Sequence, residues 1–577
     1  MVPGFVVCAY SGVMADTFKS FRNETDHFMR EALGGLVAAH PFAQWHNEGF
    51  VGLSLDDGTQ DRNRVAVISG GGSGHEPMHA GFVGPGMLDA ACPGLLFTSP
   101  NAVQIGAATE WADSGAGVVH VVKNYTGDVM NFTVAANHAE ADVEQVLVAD
   151  DVATEIDNDD SPGRRGTGAT VIVEKVAGAA AARGDDLKAV AEVARRAADQ
   201  SRSMAVALQA GHSPTSDRNT FDLEDGQIEV GVGIHGEPGV ERRDLAQTTV
   251  SAAALVSELL DGILQSLRDA GVDGSDVMLF VNGLGGTSEL EMDLVFGEAL
   301  KQLSERGLKV RRGMRGSLVT SLNMAGISLT LTVVDDELIE LIDAETSAPA
   351  WPSTVRDPQY ADARMVDEET QPDDGAVNTW LSAFVERLAA GYDDLTALDR
   401  EAGDGDFGQN MEAAFGDVAR PVRGADADVL NFFAHRMLVR AGGTSGAVLG
   451  TFFRQMADAF AGVDSRAGDG EAFAKALAQG MRRGVDAITE LGGAKEGDNT
   501  LIDALAPAAR AAASANGSVE EVLEQVFGPA VDGAKSTRGM QAKKGRASYL
   551  GESAKDVPDP GAIAVTWLFG EAGVSEF

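Results

Sequence analysis

Two short runs carry the histidine chemistry of this sequence. Gly72-SGHEP holds His75 and Gly231-VGIHGEPG holds His235, each in a glycine-flanked turn where bare backbone lets a ligand approach closely. Neutral imidazole can act as a nucleophile or accept a proton near neutral pH. Nine of the ten histidines precede the stretch 347–374, and only His435 follows it. His27, His40, His46, His120, His138 and His212 read as ordinary core or surface groups, so two such turns in one region point to one shared site. The surrounding Ser69-GGGSGHEP lacks the Lys-Ser/Thr ending of a P-loop and does not meet the G-x-G-x-x-G spacing. Taken alone, it reads as a tight turn between strand and helix.

A second constellation is Asp399-REAGDGDFG, with Asp399, Asp404 and Asp406 at spacing D-x4-D-x-D. Carboxylates are the hard ligands magnesium prefers, and glycines let a loop fold them onto one centre. It is not an EF-hand loop. By itself the cluster is equally consistent with a solvated acidic turn. Its neighbours decide: Gly442-GTSG, Gly497-DNTLIDALAP, Gly545-RASYLGE and Asp559-PGA are turn-like runs of glycine and small hydroxyls, and Arg546 adds a fork-shaped cation. Such a set suits a magnesium nucleotide bound without a P-loop.

The elements that must hold these residues fall into two kinds. From about Glu24 to Ala344, β-branched runs such as Arg64-VAVI, Gly117-VVHVV and Asp276-VMLFV alternate with helical patterns over Thr248–Ala270 and Ser288–Arg306, which is an α/β rhythm. Residues 347–374 carry four prolines and no period, as an interdomain linker does. Beyond it, helical spacing runs through Val377–Ala390, Leu430–Met437, Ala447–Phe460 and Ala472–Leu491. The expected organisation is a leader over 1–13 with Met14 as the better start, an α/β substrate-binding domain over 14–346, the linker, and an all-α nucleotide-binding domain over 375–577.

Composition excludes several partners. With 87 Asp plus Glu against 45 Lys plus Arg, the net charge of −42 repels nucleic-acid backbones and anionic membrane surfaces. No apolar run reaches the roughly 20 residues of a membrane span. Two distant cysteines, Cys8 and Cys92, build neither a disulfide framework nor a thiolate zinc site, which fits a soluble protein of a reducing cytoplasm.

From about Thr17 onward these motifs, together with His79-AGFVGPGMLDAACPG, Phe97-TSP and Lys123-NYTGD, resemble in order the single-chain ATP-dependent dihydroxyacetone (glycerone) kinases. The resemblance implies that His235 adds to the substrate carbonyl as a hemiaminal. Gly72, Ser73, Gly74, His75, Lys123 and Asp128 would line that pocket, with His75 and Asp128 handling hydroxyl protons and Asp128 as the base. It implies an eight-helix barrel in which Asp399, Asp404 and Asp406 hold two Mg2+ ions. Phe407, Gly408, Gln409, Asn410, Thr444, Ser445, Gly492, Leu501, Arg546, Asp559, Pro560 and Gly561 would surround ATP. Phe407 and Asn499 depart from the family pattern, which carries His or Thr and a basic residue at those positions. The implied activity is phosphorylation of dihydroxyacetone, with glyceraldehyde as a second substrate, by a homodimer. The rivals are a kinase for a four-carbon ketose such as erythrulose, an FAD-cyclising (FAD-AMP lyase) activity, and a ketone-binding regulator.

Overall fold

The computed structural model describes residues 20–54, 63–155, 163–245, 250–363, 369–402, 405–441, 443–544, 548 and 556–577. The expected leader and the site residues Asp404 and Arg546 lie outside that set. The chain divides into two compact units, Met1–Asp362 and Ala363–Phe577.

The first unit opens with α1 (Phe28–Ala39) and a six-stranded sheet. Its strands are β1 (Ala43–His46), β2 (Phe50–Leu53), β3 (Ala66–Ser73), β4 (Ala90–Leu96), β5 (Val118–Lys123) and β6 (Val143–Val148), in the order β1-β2-β4-β3-β5-β6. The last four run parallel, with α2 (Ala102–Ala112) and α3 (Thr126–His138) among their crossovers. Every residue of β5 is buried, the pattern of a parallel strand covered on both faces. The glycine run is no turn: Gly70 to Ser73 are the second half of β3. Bare backbone there admits neighbours that a side chain would exclude.

Two helices, α4 (Ala169–Arg183) and α5 (Leu187–Asp199), lead to the second sheet. It is built from β7 (Ser201–Gln209), β10 (Gln227–Val230), β11 (Glu241–Asp244), β12 (Asp276–Gly283), β13 (Lys309–Gly316), β14 (Ala325–Val333) and β15 (Val355–Arg356). A short hairpin, β8 (His212–Ser213) with β9 (Arg218–Asn219), stands apart, and α6 (Ala252–Asp269), α7 (Glu289–Glu305) and α8 (Asp336–Asp343) complete the unit. The sheet order is β11-β10-β7-β14-β12-β13-β15, and only the β12–β13 pair is parallel.

Helix α4 is buried from Ala169 to Ala181, mostly small and apolar residues with Glu174 and Lys175 buried among them. One core cluster joins its Val171 and Val176 to Val119 and Val121 of β5 and to Met278 and Phe280 of β12, so α4 is packed against both sheets. At Gly178 a Cβ would sit 2.3 Å from the Met87 carbonyl oxygen, which fixes glycine there. The proline-rich stretch is ordered by pairing rather than by period: Arg356 opposes Arg312 on β13, and Ala348 is buried against Gly84. The division after Asp362 leaves residues 347–362 in the first unit.

The second unit is helical. Its helices are α9 (Thr379–Ala402), α10 (Phe407–Phe415), α11 (Asp426–Arg436), α12 (Gly443–Ala459), α13 (Gly470–Gly492), α14 (Ile502–Ala512), α15 (Val519–Thr537) and α16 (Pro560–Thr566), with a π-helical turn over Met437–Ala441 before α12. Side-chain caps hold two of the starts. Asp469 accepts from the Ala472 N–H at 3.0 Å, and Ser518 with Glu521 forms a capping box on α15. The core is aromatic, with Phe384, Phe415, Phe433 and Phe453 meeting at ring-centroid distances of 5.1–6.3 Å. No helix among the described residues is long and apolar enough to cross a membrane.

Two units with separate cores should melt separately. Phe433 is fully buried in the helical core, so Phe433→Ala should cost that unit about 3–5 kcal/mol while leaving the first unit's transition in place. Calorimetry on the full chain checks this, and a single transition that shifts as a whole would contradict it.

Candidate functional site

In the first unit, the loop after β3 brings the two histidine turns together. The rings of His75 and His235 meet edge to face at 4.7 Å, with Phe97 stacked on His75 at 5.2 Å and Tyr125 edge-on to His235 at 4.5 Å. Phe97 takes a left-handed backbone (φ 52°), a conformation that non-glycine residues adopt at a cost. The β13–β14 connection braces the loop: the N–H groups of Thr320 and Leu322 donate to the carbonyls of His75 and Gly74. His75 Nδ1 lies 2.8 Å from the Thr320 carbonyl oxygen. A carbonyl only accepts, so Nδ1 carries the proton and Nε2 keeps a lone pair. That Nε2 is buried without a partner. Burial, followed by the nearby charges of His235 and Lys123, holds the His75 pKa well below its usual value, so the ring is neutral.

Lys123, at the end of β5, and Asp128, in the first turn of α3, form a buried ion pair at 3.2 Å. The ammonium also reaches His79 Nε2 at 3.2 Å and the Gly70 carbonyl at 3.5 Å, which accounts for its three N–H donors. Asp128 gives Oδ2 to Lys123 and leaves Oδ1 buried with no partner. Glycines make room for this: a Cβ on Gly71 would fall 1.9 Å from Lys123 Nζ, and one on Gly72 or Gly74 would strike Phe97. Ser73 is engaged structurally, donating to the Gly94 carbonyl at 2.7 Å. His235, Gly72, Ser73, Gly74, His75, Lys123 and Asp128 thus form one connected region.

Several neighbours escaped the sequence reading. His79 joins Lys123 to the buried Glu174, whose Oε1 is 2.5 Å from His79 Nδ1. Glu237, two residues past His235, accepts from its ring Nδ1 at 3.0 Å. Both His79 and Glu237 lie inside motifs that can be quoted from the sequence, but the 95 residues between His79 and Glu174 hide that partnership.

In the second unit, helices joined by short connections pack antiparallel, which sets the end of one beside the start of the next. The ends of α9 and α13 and the starts of α10, α12 and α14 carry the expected nucleotide residues in this way. Asp399 Oδ2 accepts the Phe407 N–H at 3.0 Å. Burial, then the charge of Asp399, raises the Asp406 carboxyl. Burial, then the charges of Asp503 and Asp399, pushes Asp559 up to about 7, while its side chain caps α16 at Ala562. Leu501 lies against Gly561, where a Cβ would be 3.5 Å from its own.

Asp399, Asp406, Leu501, Asp559, Pro560 and Gly561 are therefore gathered. Thr444 and Ser445 stand on the first turn of α12, and Gly492 ends α13. The Phe407 side chain is buried in the helical core, and Gly408 packs against α9, where a Cβ would meet Thr396 Oγ1 and the Tyr392 carbonyl at 2.2 Å. Gln409 and Asn410 follow on α10, the latter donating its N–H to the Asp406 carbonyl. Asn499 takes a left-handed backbone and ties its turn to the Met540 carbonyl at 3.1 Å, work that suits asparagine. Among the described residues no three His, Cys, Asp or Glu side chains form a ready metal cage. The expected set includes Asp404, which lies outside them.

Comparison with known proteins agrees with this division. Residues 34–350 match the Dak1 domain and residues 401–572 the DAK2 domain. The chain is 35% identical to human triokinase/FMN cyclase, over 95% of this chain and 97% of that protein. It is 34% identical to the L-erythrulose 1-kinase of Mycolicibacterium smegmatis, over 96% and 98%. The crystal structure of the dihydroxyacetone kinase from C. freundii in complex with AMP-PNP and Mg2+ matches with a TM-score of 0.59 at 30% identity, covering 96% of this chain and 99% of that one. An α/β unit joined to a helical one, in this arrangement, defines a kinase of the two-domain type. The chain belongs to the dihydroxyacetone kinase family.

The room around Lys123 is testable. Gly71→Ala should destabilise the first unit by roughly 1–3 kcal/mol through overpacking. Gly34→Ala, at a helical position where a Cβ meets nothing within 4 Å, should be neutral or gain about 0.5–1 kcal/mol. Thermal melts of the two variants check the contrast, and equal shifts would argue against a crowded ammonium.

Proposed function

We propose that this kinase transfers the γ-phosphoryl group of ATP to a terminal hydroxyl of dihydroxyacetone, with glyceraldehyde also accepted. The observation that carries the reading is a pair of buried, unpartnered atoms: a lone pair on His75 Nε2, whose ring meets that of His235, and Asp128 Oδ1, on the carboxylate paired with Lys123. An unsatisfied buried acceptor is costly, and hydroxyl donors are what such acceptors lack.

His235 offers Nε2 to the carbonyl carbon, because Nδ1 is engaged by Glu237. A covalent hemiaminal fixes a small ketone more firmly than hydrogen bonds alone can, and a polyol without a carbonyl gains nothing from it. His75 Nε2 accepts from one hydroxyl. Asp128 Oδ1 accepts the proton of the reacting hydroxyl, and Lys123 on its other oxygen holds the carboxylate in place. Gly72 and Gly74 keep the backbone close to the ligand.

The helical unit fits magnesium and nucleotide: its gathered carboxylates, Asp399 and Asp406 with Asp559 beside them, carry negative charge that a hard divalent cation would compensate. Asp399, Asp404 and Asp406 would hold the metal, two Mg2+ ions by resemblance, with Phe407 to Asn410, Thr444, Ser445, Gly492, Leu501, Arg546 and Asp559 to Gly561 around the nucleotide. When bound, magnesium ATP supplies the phosphoryl group and the neutralisation of its oxygens. Composition and resemblance support a cytoplasmic homodimer.

A second reading, a kinase for a four-carbon ketose, is favoured by the erythrulose kinase among the relatives. ADP release across dihydroxyacetone, glyceraldehyde, erythrulose and glycerol separates the two. Dihydroxyacetone should give the highest kcat/KM and glycerol no appreciable turnover, whereas preference for erythrulose would install the second reading. Asp128→Asn should lower kcat by about 10²–10⁴-fold. Asp399→Asn and Asp406→Asn should each abolish turnover while leaving ketone binding intact, and a variant that keeps most of the rate at modest magnesium would remove that carboxylate from the metal site.

A further inference from the structure

Glu237 closes a five-residue turn on His235 with both carboxylate oxygens. Oε1 faces the ring Nδ1 at 3.0 Å, and Oε2 accepts the His235 backbone N–H at 2.9 Å. The turn is tight: the Gly233 N–H donates to the Glu237 carbonyl, and Gly236 takes φ 77°. A Cβ on Gly233 would lie 2.1 Å from Glu237 Oε2 and 2.5 Å from Arg165 Nη1, so carboxylate and guanidinium converge over that bare Cα. Arg165 is itself buried and anchored, with Nε to Asp151 at 2.8 Å and Nη2 to the Gly231 carbonyl at 2.9 Å. Burial opposes ionisation of Glu237, yet the His235 hydrogen bond, with the charges of His235 and Arg165, holds its pKa at about 2. An ionised carboxylate only accepts, so the ring proton must sit on Nδ1.

We propose that Glu237, backed by Arg165 and Asp151, is the positioning residue that locks His235 in the Nδ1–H tautomer and so reserves Nε2 for covalent capture of the ketone. This rests on the hemiaminal reading given above. In the step, the Nε2 lone pair forms a bond to the carbonyl carbon while the C=O π pair moves to oxygen. The resulting imidazolium carries its positive charge 3.0 Å from the Glu237 carboxylate. The alkoxide takes one proton from solvent, and the adduct stays an imidazolium whose Nδ1–H remains on the Glu237 carboxylate. The backbone contact separates this role from turn-building. In Glu237→Gln the amide oxygen stays on the obligate donor, the His235 N–H, so the NH2 faces Nδ1 and forces the proton onto Nε2.

The test uses the full chain with 15N-labelled histidine and 2-13C dihydroxyacetone, with the His235 signals assigned by their loss in His235→Asn. Wild type should show Nδ1 protonated and, with the ketone, a carbon signal moved from the carbonyl to the hemiaminal region. Glu237→Gln should show the opposite tautomer, lose the hemiaminal signal and drop in kcat/KM for the ketone on the order of 10²–10⁴-fold, with KM for ATP unchanged. An Nε2-protonated ring in wild type, which needs no variant to fold, overturns the proposal. So does an adduct that persists in Glu237→Gln. A wild-type protein that turns over the ketone with no adduct removes the covalent reading itself and this inference with it.

Discussion

An ammonium and a carboxylate taken wholly out of water face each other at 3.2 Å where β5 meets α3. Such a pair is tolerable only when the geometry is good and the remaining donors and acceptors find partners, because the desolvation of each ion costs several kcal/mol. Much of the first unit's local structure follows from that demand. β3 must end in glycines, since any side chain at Gly71 would enter the space of the Lys123 ammonium. His79 must present a lone pair to that ammonium, which requires its proton on the Nδ1 side, toward Glu174 and Ser69. α4 must therefore carry an acidic residue among its buried positions, and Glu174 is that residue. One carboxylate oxygen, Asp128 Oδ1, is left over, buried and without a partner.

The helical unit handles charge in the opposite way. Around Lys123 the protein compensates each ion with its own groups, whereas burial and the charge of Asp399 raise the proton affinity of Asp406, and burial with the charges of Asp503 and Asp399 raises that of Asp559. Carboxylates held in that condition favour a cation brought from outside over any internal salt bridge. Compensation inside the first unit keeps its pocket rigid before the substrate arrives.

What the sequence made legible follows the range of each interaction. Strands β5 and β12 and helices α6, α7 and α13 were readable because periodicity is a property of consecutive residues, and the two histidine turns because glycine flanks them directly. The glycine half of β3 was not, since composition there speaks for a turn and only the approach of Lys123 and Cys92 explains an extended strand. The Glu174–His79 contact and the pairing of Arg356 with Arg312 depend on residues far apart in the chain. Glu237 was visible inside its motif, but its role lies in a ring-to-carboxylate geometry that the positive φ of Gly236 creates. Asn499 stands out in sequence only as a departure from the family's basic residue, while in the structure it secures a left-handed turn.

Pocket chemistry also bears on substrate size under the proposed reading. A triose ketone presents one carbonyl and two hydroxyls. The acceptors left open in this region are one histidine nitrogen and one carboxylate oxygen, His75 Nε2 and Asp128 Oδ1, so under this reading carbonyl and hydroxyls are each matched once. A four-carbon ketose brings a further hydroxyl. Two more buried hydrogen-bonding atoms near the His235 turn have no partner: the Tyr125 hydroxyl, on a ring edge-on to His235, and Thr220 Oγ1, 2.9 Å from where a Cβ on Gly236 would stand. Under that reading the extra hydroxyl would meet water, one of these two atoms, or the ring of Phe97, which packs against both histidine rings, so these three side chains are the ones that set whether a fourth carbon is accepted.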